Sequence, residues 1–233
     1  MKDFSNKYIM VFSVVMVVSV AILLSLTALL LQPRQAKNVE VEKKIQILSS
    51  MNVASDRSNA VELYDSHILE SFVINTEGNR VEGVDAFTVT LRSEQKKPLE
   101  QQSLPVFIAV ADNGDTLHIL PLEGKGLWGP IWGYVALKKD LSTIAGATFD
   151  HKGETPGLGA EINTTPFESQ FHDKSIFENG SFVSVKVVKG GARPGNPHEV
   201  DGISGGTITS NGLQAMVHDG LIKYEKYLSQ NRK

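Results

Sequence analysis

A long stretch near the N-terminus carries no charged residue. It covers residues 8–31, a run of 24 residues, which as a helix would extend about 36 Å and cross the hydrocarbon core of a bilayer. A cleaved signal peptide has a shorter apolar core, about 7–15 residues long, followed by a small-x-small cleavage site. Because Leu31-Gln32-Pro33-Arg34 offers no such site, the pattern favours a retained transmembrane anchor over residues 1–33.

Apolar residues recur at helical spacing twice after the predicted anchor. Val41, Ile45 and Leu48 form the first repeat, which predicts an amphipathic helix, and a second, shorter helix is predicted after Ser58. We expect residues 34–70 to form a helical connector that packs on the soluble domain.

The pattern then changes to short apolar runs separated by turn residues. Residues 105–111 and 116–121 flank Asp112-Asn113-Gly114-Asp115, which predicts a hairpin. Further strands are predicted at residues 72–74, 131–137, 141–150 and 182–188.

The last periodic stretch predicts a helix from about Ser210 to Leu228, with Ser210 or Asn211 as its N-cap. Helices, then strands, then a helix are typical of an α+β domain with a mostly antiparallel sheet. We expect this domain to occupy residues 71–233.

Composition narrows the function classes. The chain has 233 residues, a formal net charge of −3 and no cysteine, which excludes disulfides and thiolate metal sites. A mildly acidic soluble part gives no electrostatic case for binding nucleic acid. None of the six histidines forms an H-x-x-H or H-E-x-x-H pattern, so no histidine metal site is expected.

The densest candidate site is Asp201-Gly-Ile-Ser-Gly-Gly-Thr207-Ile-Thr-Ser210. Free amides at a helix start and the positive end of the helix dipole favour phosphate there. The alternative is a glycine-rich turn that feeds a capped helix and satisfies its own hydroxyls. This segment is not a Walker loop, because no Gly-Lys-Ser/Thr follows its glycines, and it is not a Rossmann fingerprint in a βαβ setting.

Two further segments combine glycine with residues that can contact a ligand. Residues 124–133 hold both tryptophans, Trp128 and Trp132, among four glycines, so the indoles can stack on a flat ring or fill the core. Gly153-Glu154-Thr155-Pro156-Gly157-Leu158-Gly159 places an acid and a hydroxyl on a Pro-Gly turn, which is also typical of an ordinary exposed turn.

Together the three segments resemble the FMN-binding domain family. Residues 201–207 resemble its flavinylation signature, Asp-x-x-Ser-Gly-Ala-Thr, with Gly206 in place of the usual alanine. Gly-Leu-Trp-Gly at 126–129 and Glu-Thr-Pro-Gly-Leu-Gly at 154–159 are similar to its other two hallmarks. With one anchor ahead of them, the whole chain resembles the C-subunit family of Na⁺-translocating NADH:quinone reductases.

This resemblance implies a covalent cofactor. FMN would be joined through its phosphate to the hydroxyl of Thr207 by a separate flavin transferase, so that Thr207 is an acceptor and not a catalytic nucleophile. Further contacts with FMN are expected at the phosphate end and along the ring. They are Ser204, Gly205, Gly206, Thr209, Trp128, Glu154, Thr155, Gly157 and Leu158.

The resemblance also implies partners and a location. The chain would pass electrons among the other membrane subunits of the reductase, between NADH and ubiquinone, with its domain on the periplasmic side of a bacterial inner membrane. Counting basic residues beside the anchor favours the cytoplasm instead, although this rule weakens for large domains. The alternatives are the G subunit of an Rnf-type ferredoxin:NAD oxidoreductase and a membrane-anchored, non-redox module for a phosphorylated ligand.

Overall fold

The computed structural model describes residues 5–232. Two compact units make up the chain, residues 1–43 and residues 44–233. Helix α1, Asn6–Ser50, forms the described part of the first unit up to residue 43, and its last turns belong to the second unit. Over the described residues, α1 is the one helix long and apolar enough to cross a membrane.

Helix α1 unites two sequence predictions. The apolar stretch and the predicted amphipathic helix form one continuous helix that includes Pro33. Its final residues belong to the second unit's core, where Ile47 and Leu48 are fully buried. The helix therefore runs through the boundary that the sequence pattern predicts after residue 33.

A six-stranded antiparallel sheet forms the centre of the second unit, in the order β2-β1-β3-β4-β5-β6. These strands are β1 Ile68–Ile74, β2 Arg80–Val81, β3 Leu104–Val110, β4 Thr116–Lys125, β5 Pro130–Leu137 and β6 Ile144–His151. The predicted hairpin is confirmed as β3–β4, paired from Phe107 opposite Ile119 to Val110 opposite Thr116. Its turn is closed by Gly114, at φ 85°, a conformation that glycine adopts without strain.

Four shorter strands form two pairs beyond this sheet. They are β7 Phe177–Glu178, paired with β8 Ser181–Phe182, and β9 Lys186–Val188, paired in parallel with β10 Glu199–Asp201. The single strand predicted over residues 182–188 is wrong, because Ser184 at φ 62° interrupts it. The start predicted for β6 at residue 141 is also wrong. Leu141 has φ 53° and lies in a turn where the Asp140 carboxylate accepts hydrogen bonds from the backbone N–H groups of Ser142 and Thr143.

Five more helices and four 3₁₀ turns complete the described residues. The helices are α2 Ala60–His67, α3 Leu91–Glu94, α4 Thr165–Glu168, α5 Thr207–Leu221 and α6 Glu225–Asn231. The 3₁₀ turns are Leu99–Gln101, Gly159–Asn163, Ser169–Phe171 and Ile222–Tyr224. Helix and strand segments thus form one α+β core, which confirms the predicted fold class, and buried side chains of α5, such as Leu213 and Val217, belong to that core.

The start of α5 corrects another prediction. The helix begins at Thr207, three residues before the expected N-cap, and Gly206 is the capping residue, with no side-chain hydrogen bond. The hydroxyl of Ser210 is used elsewhere, since it accepts a hydrogen bond from the backbone N–H of Ile203 at 3.1 Å. The glycine-rich segment therefore leads directly into the helix, with Thr207 as its first residue.

Candidate functional site

The three glycine-rich segments, in chain order residues 124–133, 153–159 and 201–210, meet at one buried carboxylate. Glu154 is only 5% exposed. Its Oε2 accepts a hydrogen bond from the hydroxyl of Thr209 at 2.6 Å, and its Oε1 accepts one from the backbone N–H of Trp128 at 2.9 Å. One side chain therefore joins the segment of residues 153–159 to the other two segments.

Glycine makes this close approach possible. A Cβ atom on Gly126 would lie 2.5 Å from Oε1 of Glu154, and one on Gly159 would lie 2.6 Å from Oε2. Real Cβ atoms do not come this close to a carboxylate. The glycines at these two positions thus leave the space that the Glu154 side chain occupies.

Residues 126–129 of the first segment form the turn between β4 and β5. The N–H of Gly126 donates to the carbonyl of Gly129 at 2.8 Å, and the turn leaves Leu127 44% and Trp128 70% exposed. Trp132 lies on β5 and donates from Nε1 to the side-chain oxygen of Gln46 at 3.1 Å. Of the two tryptophans, Trp128 is therefore the one that offers an open indole surface beside the site.

The second segment is a turn held by its own backbone. The N–H groups of Leu158 and Ala160 both donate to the carbonyl of Thr155, at 3.1 Å each, and Thr155 and Gly157 are exposed. Leu158 is 42% exposed and lies against the third segment, because a Cβ on Gly205 would be 2.6 Å from its Cδ2. Gly205 also has φ 74°, which a residue with a side chain rarely adopts.

The third segment presents Thr207 at a helix start. The first bond of α5 runs from the N–H of Ser210 to the carbonyl of Gly206, so the helix itself does not use the N–H groups of the three preceding residues. Thr207 is partly buried, whereas Thr209 is 2% exposed and turned towards Glu154. Thr207 thus lies where a helix start favours an anion.

A cleft of about 470 Å³ opens beside Thr207. Its lining includes Ser204, Gly205, Thr207 and an exposed cation, Lys189. Sequence reasoning missed Lys189. The signal that could have revealed it is the glycine pair that follows it, since Gly190 and Gly191 both have positive φ and also line the cleft.

The acid of the signature has a structural task in this cleft. Asp201 ends β10, and its Oδ1 accepts a hydrogen bond from the backbone N–H of Ala192 at 2.7 Å. This bond fixes the turn that carries Lys189. A second acid, Glu199 at the start of β10, pairs with Arg193 of the preceding loop. Arg193 donates to both oxygens of Glu199, with a shortest distance of 2.6 Å, and lowers the pKa of that carboxyl to about 2.

The donor set fits a phosphorylated, ring-bearing ligand. Backbone amides at the start of α5 and the ammonium group of Lys189 suit a phosphate, and the exposed Trp128 and Leu158 suit a flat apolar ring. Ser204, Gly205 and Thr207 line the cleft, and Gly206 is buried beside them. Glu154 and Thr209 are buried and do not line it.

Comparison with known proteins agrees with this geometry. Residues 126–222 match the FMN-binding domain family, and this span contains the three motifs at residues 126–129, 154–159 and 201–207. The fold is thus that of an FMN-binding domain.

Relatives extend the match beyond that domain. The C subunit of the Na⁺-translocating NADH-quinone reductase from Vibrio vulnificus strain YJ016 is 34% identical over 79% of this chain and 78% of its own length. The corresponding C subunit from Pseudomonas aeruginosa is 30% identical over 88% of each chain. A crystal structure of the C subunit from Parabacteroides distasonis superposes with a TM-score of 0.78 at 44% identity, covering 85% of this chain and 96% of that one. The chain belongs to the C-subunit family of Na⁺-translocating NADH-quinone reductases.

Proposed function

We propose that this chain is an electron-transfer subunit that carries FMN as a phosphoester on Thr207, within a Na⁺-pumping NADH:ubiquinone reductase. The observation that carries the proposal is the position of Thr207. It is the first residue of α5 and lines a cleft that also contains Lys189. A hydroxyl, free amides and a cation thus converge where a flavin phosphate would be attached.

The surrounding residues have separate tasks in this proposal. Gly205 and Gly206 let the backbone approach the phosphate, and Ser204 and Lys189 provide polar contacts to it. Trp128 and Leu158 offer apolar surface to the ring system, and Thr155 and Gly157 lie on the exposed turn beside Leu158. FMN, when bound, supplies the redox chemistry, and the protein supplies position and electrostatics.

Attachment requires an activated flavin. The Thr207 hydroxyl oxygen forms a bond to the phosphorus of the FMN half of a flavin dinucleotide, and the pyrophosphate P–O bond breaks. The other mononucleotide leaves, and the hydroxyl proton passes to solvent. A flavin transferase is the partner that catalyses this step, and the ester keeps the flavin on the domain at any concentration of free FMN.

Membrane anchoring gives the domain its place among the other subunits. We propose that α1 spans the bacterial inner membrane and that the flavin domain lies on the periplasmic side. Residues 8–31 contain no ionisable acid or base other than Tyr8, so this apolar stretch of α1 offers no carboxylate to a passing Na⁺ ion. Sodium movement would therefore depend on the partner subunits.

Flavin fluorescence on a denaturing gel tests the attachment. Full-length chain from its native membrane should fluoresce under ultraviolet light, and Thr207→Ala should abolish the signal. Thr165→Ala is a matched control that should leave the signal unchanged, because Thr165 is accessible and is, like Thr207, the first residue of a helix, α4. Persistent fluorescence in Thr207→Ala would show that the flavin is attached elsewhere.

A colourless protein from the native membrane would instead support the non-redox, phospholigand-binding module.

The Rnf-type alternative differs in its electron donor. The purified complex should oxidise NADH and reduce a quinone, and a complex that instead transfers electrons between ferredoxin and NAD would favour that alternative.

A further inference from the structure

Glu154 lies where all three segments of the flavin site meet, yet both of its carboxylate oxygens already accept hydrogen bonds from the protein. We infer that Glu154 is a positioning residue for flavin attachment, which holds the first turn of α5 against the β4–β5 turn and so fixes where the Thr207 hydroxyl is presented. This inference rests on the proposed attachment at Thr207. It gives Glu154 an indirect role in place of direct contact with FMN.

The first argument comes from α5, which begins without a capping side chain. Gly206 offers none, and the first turn contains no acidic residue. Negative charge near a helix N-terminus stabilises that end. Through the hydroxyl of Thr209, Glu154 brings a carboxylate to this turn from a segment 55 residues away in the sequence, and Thr209 lies in the same turn as Thr207.

The second argument comes from the other oxygen of the Glu154 carboxylate. Its Oε1 is bonded to a backbone N–H, that of Trp128, and not to a mobile side chain. A Cβ on Gly126 or on Gly159 would overlap the carboxylate, so both neighbouring segments are shaped around Glu154 in this position. The helix start and the turn that bears Trp128 are therefore joined through two hydrogen bonds to one buried group.

The consequence is that loss of either partner should disturb Thr207 at a distance. Removing Thr209 as a donor leaves a buried carboxylate oxygen unpaired, and removing Glu154 leaves a buried hydroxyl and an amide without their acceptor. A shift of about 1 Å in a reacting group can slow a reaction roughly 100-fold. The effect should appear in the attachment step, because the transferase and not Glu154 binds the flavin donor.

The test follows attachment over time. Full-length apo-chain, produced without the transferase, is mixed in detergent with a flavin transferase and a flavin dinucleotide, and gel fluorescence gives the initial rate. Glu154→Ala and Thr209→Val should each lower that rate about 10- to 100-fold, and the double variant should be no slower than the worse single one. Thr209→Ser, which keeps the hydroxyl, should restore most of the rate.

Two matched controls remove similar buried groups whose side-chain hydrogen bonds go to residues outside the three segments. Glu94→Ala removes a 7% exposed carboxylate that is paired with Lys97. Thr148→Val removes an 8% exposed threonine whose hydroxyl donates to Glu168 at 3.0 Å. Both should attach flavin at the wild-type rate. If Glu154→Ala does not fold, as judged by thermal unfolding, Thr209→Val and its rescue by serine decide the question.

A wild-type rate in Glu154→Ala or in Thr209→Val would overturn the inference, and so would additive losses in the double variant. Recovery of the rate at saturating flavin dinucleotide would also overturn it, because Glu154 would then act on donor binding. The proposed function fails separately. Fluorescent Thr207→Ala contradicts attachment at Thr207, whereas dark Thr207→Ala together with normal attachment in Glu154→Ala contradicts only the role given to Glu154.

Discussion

Gly206 shows how one absent methyl group shapes the site. Its φ of −102° suits any residue, so backbone conformation does not require glycine. Space does, because a Cβ there would lie 2.9 Å from Cγ2 of Ile203 and 3.3 Å from the carbonyl carbon of Leu158. The flavinylation signature usually has alanine at this position. The glycine in this chain lets Ile203 lie closer to the start of α5 than a methyl group at residue 206 would allow.

Gly206→Ala should lower stability and keep the attachment site. Overpacking of this kind costs about 1–3 kcal/mol, and we expect the lower end, because partly buried Ile203 can move slightly. Urea unfolding of the full chain in detergent measures the loss. In an Ile203→Ala background the new methyl group has room, so the same substitution should cost clearly less. Equal costs in both backgrounds would show that Ile203 is not the obstacle.

At the scale of elements, glycines set the distance between α5 and β4. A Cβ on Gly212 would collide with the backbone carbonyl oxygen of Lys125, and one on Gly124 would lie 2.6 Å from Cβ of Met216. Helix and strand therefore meet almost backbone to backbone. This contact holds α5, which begins at Thr207, against the end of β4.

Gly212→Ala should destabilise the domain although alanine is the better helix former. The usual gain is about 0.5–1 kcal/mol, whereas a methyl group against a rigid carbonyl costs about 1–3 kcal/mol, so the net effect should be a loss. Gly220→Ala in the same helix is the control, because the closest atom to its methyl group would be Cδ2 of Leu122, at 2.6 Å, the end of a side chain and not backbone. Urea unfolding should rank Gly212→Ala as the less stable variant, and the reverse order would contradict this account.

The sequence predicts an element well when the residues that determine it are neighbours in the chain. The β3–β4 hairpin follows from Gly114 and its neighbours, and its prediction is confirmed. The predicted start of α5 is wrong, because Ser210 is a good N-cap by type but its hydroxyl instead binds the backbone of Ile203. The pairing of Glu154 with Thr209 joins residues far apart in the chain, and no local pattern indicates it. Family resemblance points to both residues, although the bond between them is visible only in the structure.

At the scale of the whole molecule, the basic residues that flank the apolar stretch help to predict which unit faces the cytoplasm. Arg34, Lys37, Lys43 and Lys44 follow the stretch, and Lys2 and Lys7 precede it. A count of these charges favours a cytoplasmic domain, but the rule applies to short loops and not to a unit as long as residues 44–233. The proposed periplasmic location therefore calls for a direct test.

The absence of cysteine from the chain makes that test clean. Ser5 and Asn113 are exposed and lie before and after the apolar stretch, so Ser5→Cys and Asn113→Cys serve as controls for each other. A membrane-impermeant maleimide should label Asn113→Cys in intact spheroplasts and Ser5→Cys only after lysis, because α1 would separate the two sites. The reversed pattern would place the flavin domain in the cytoplasm. Labelling of both variants, or of neither, in intact spheroplasts would show that α1 does not keep them on opposite sides, which contradicts the proposed span.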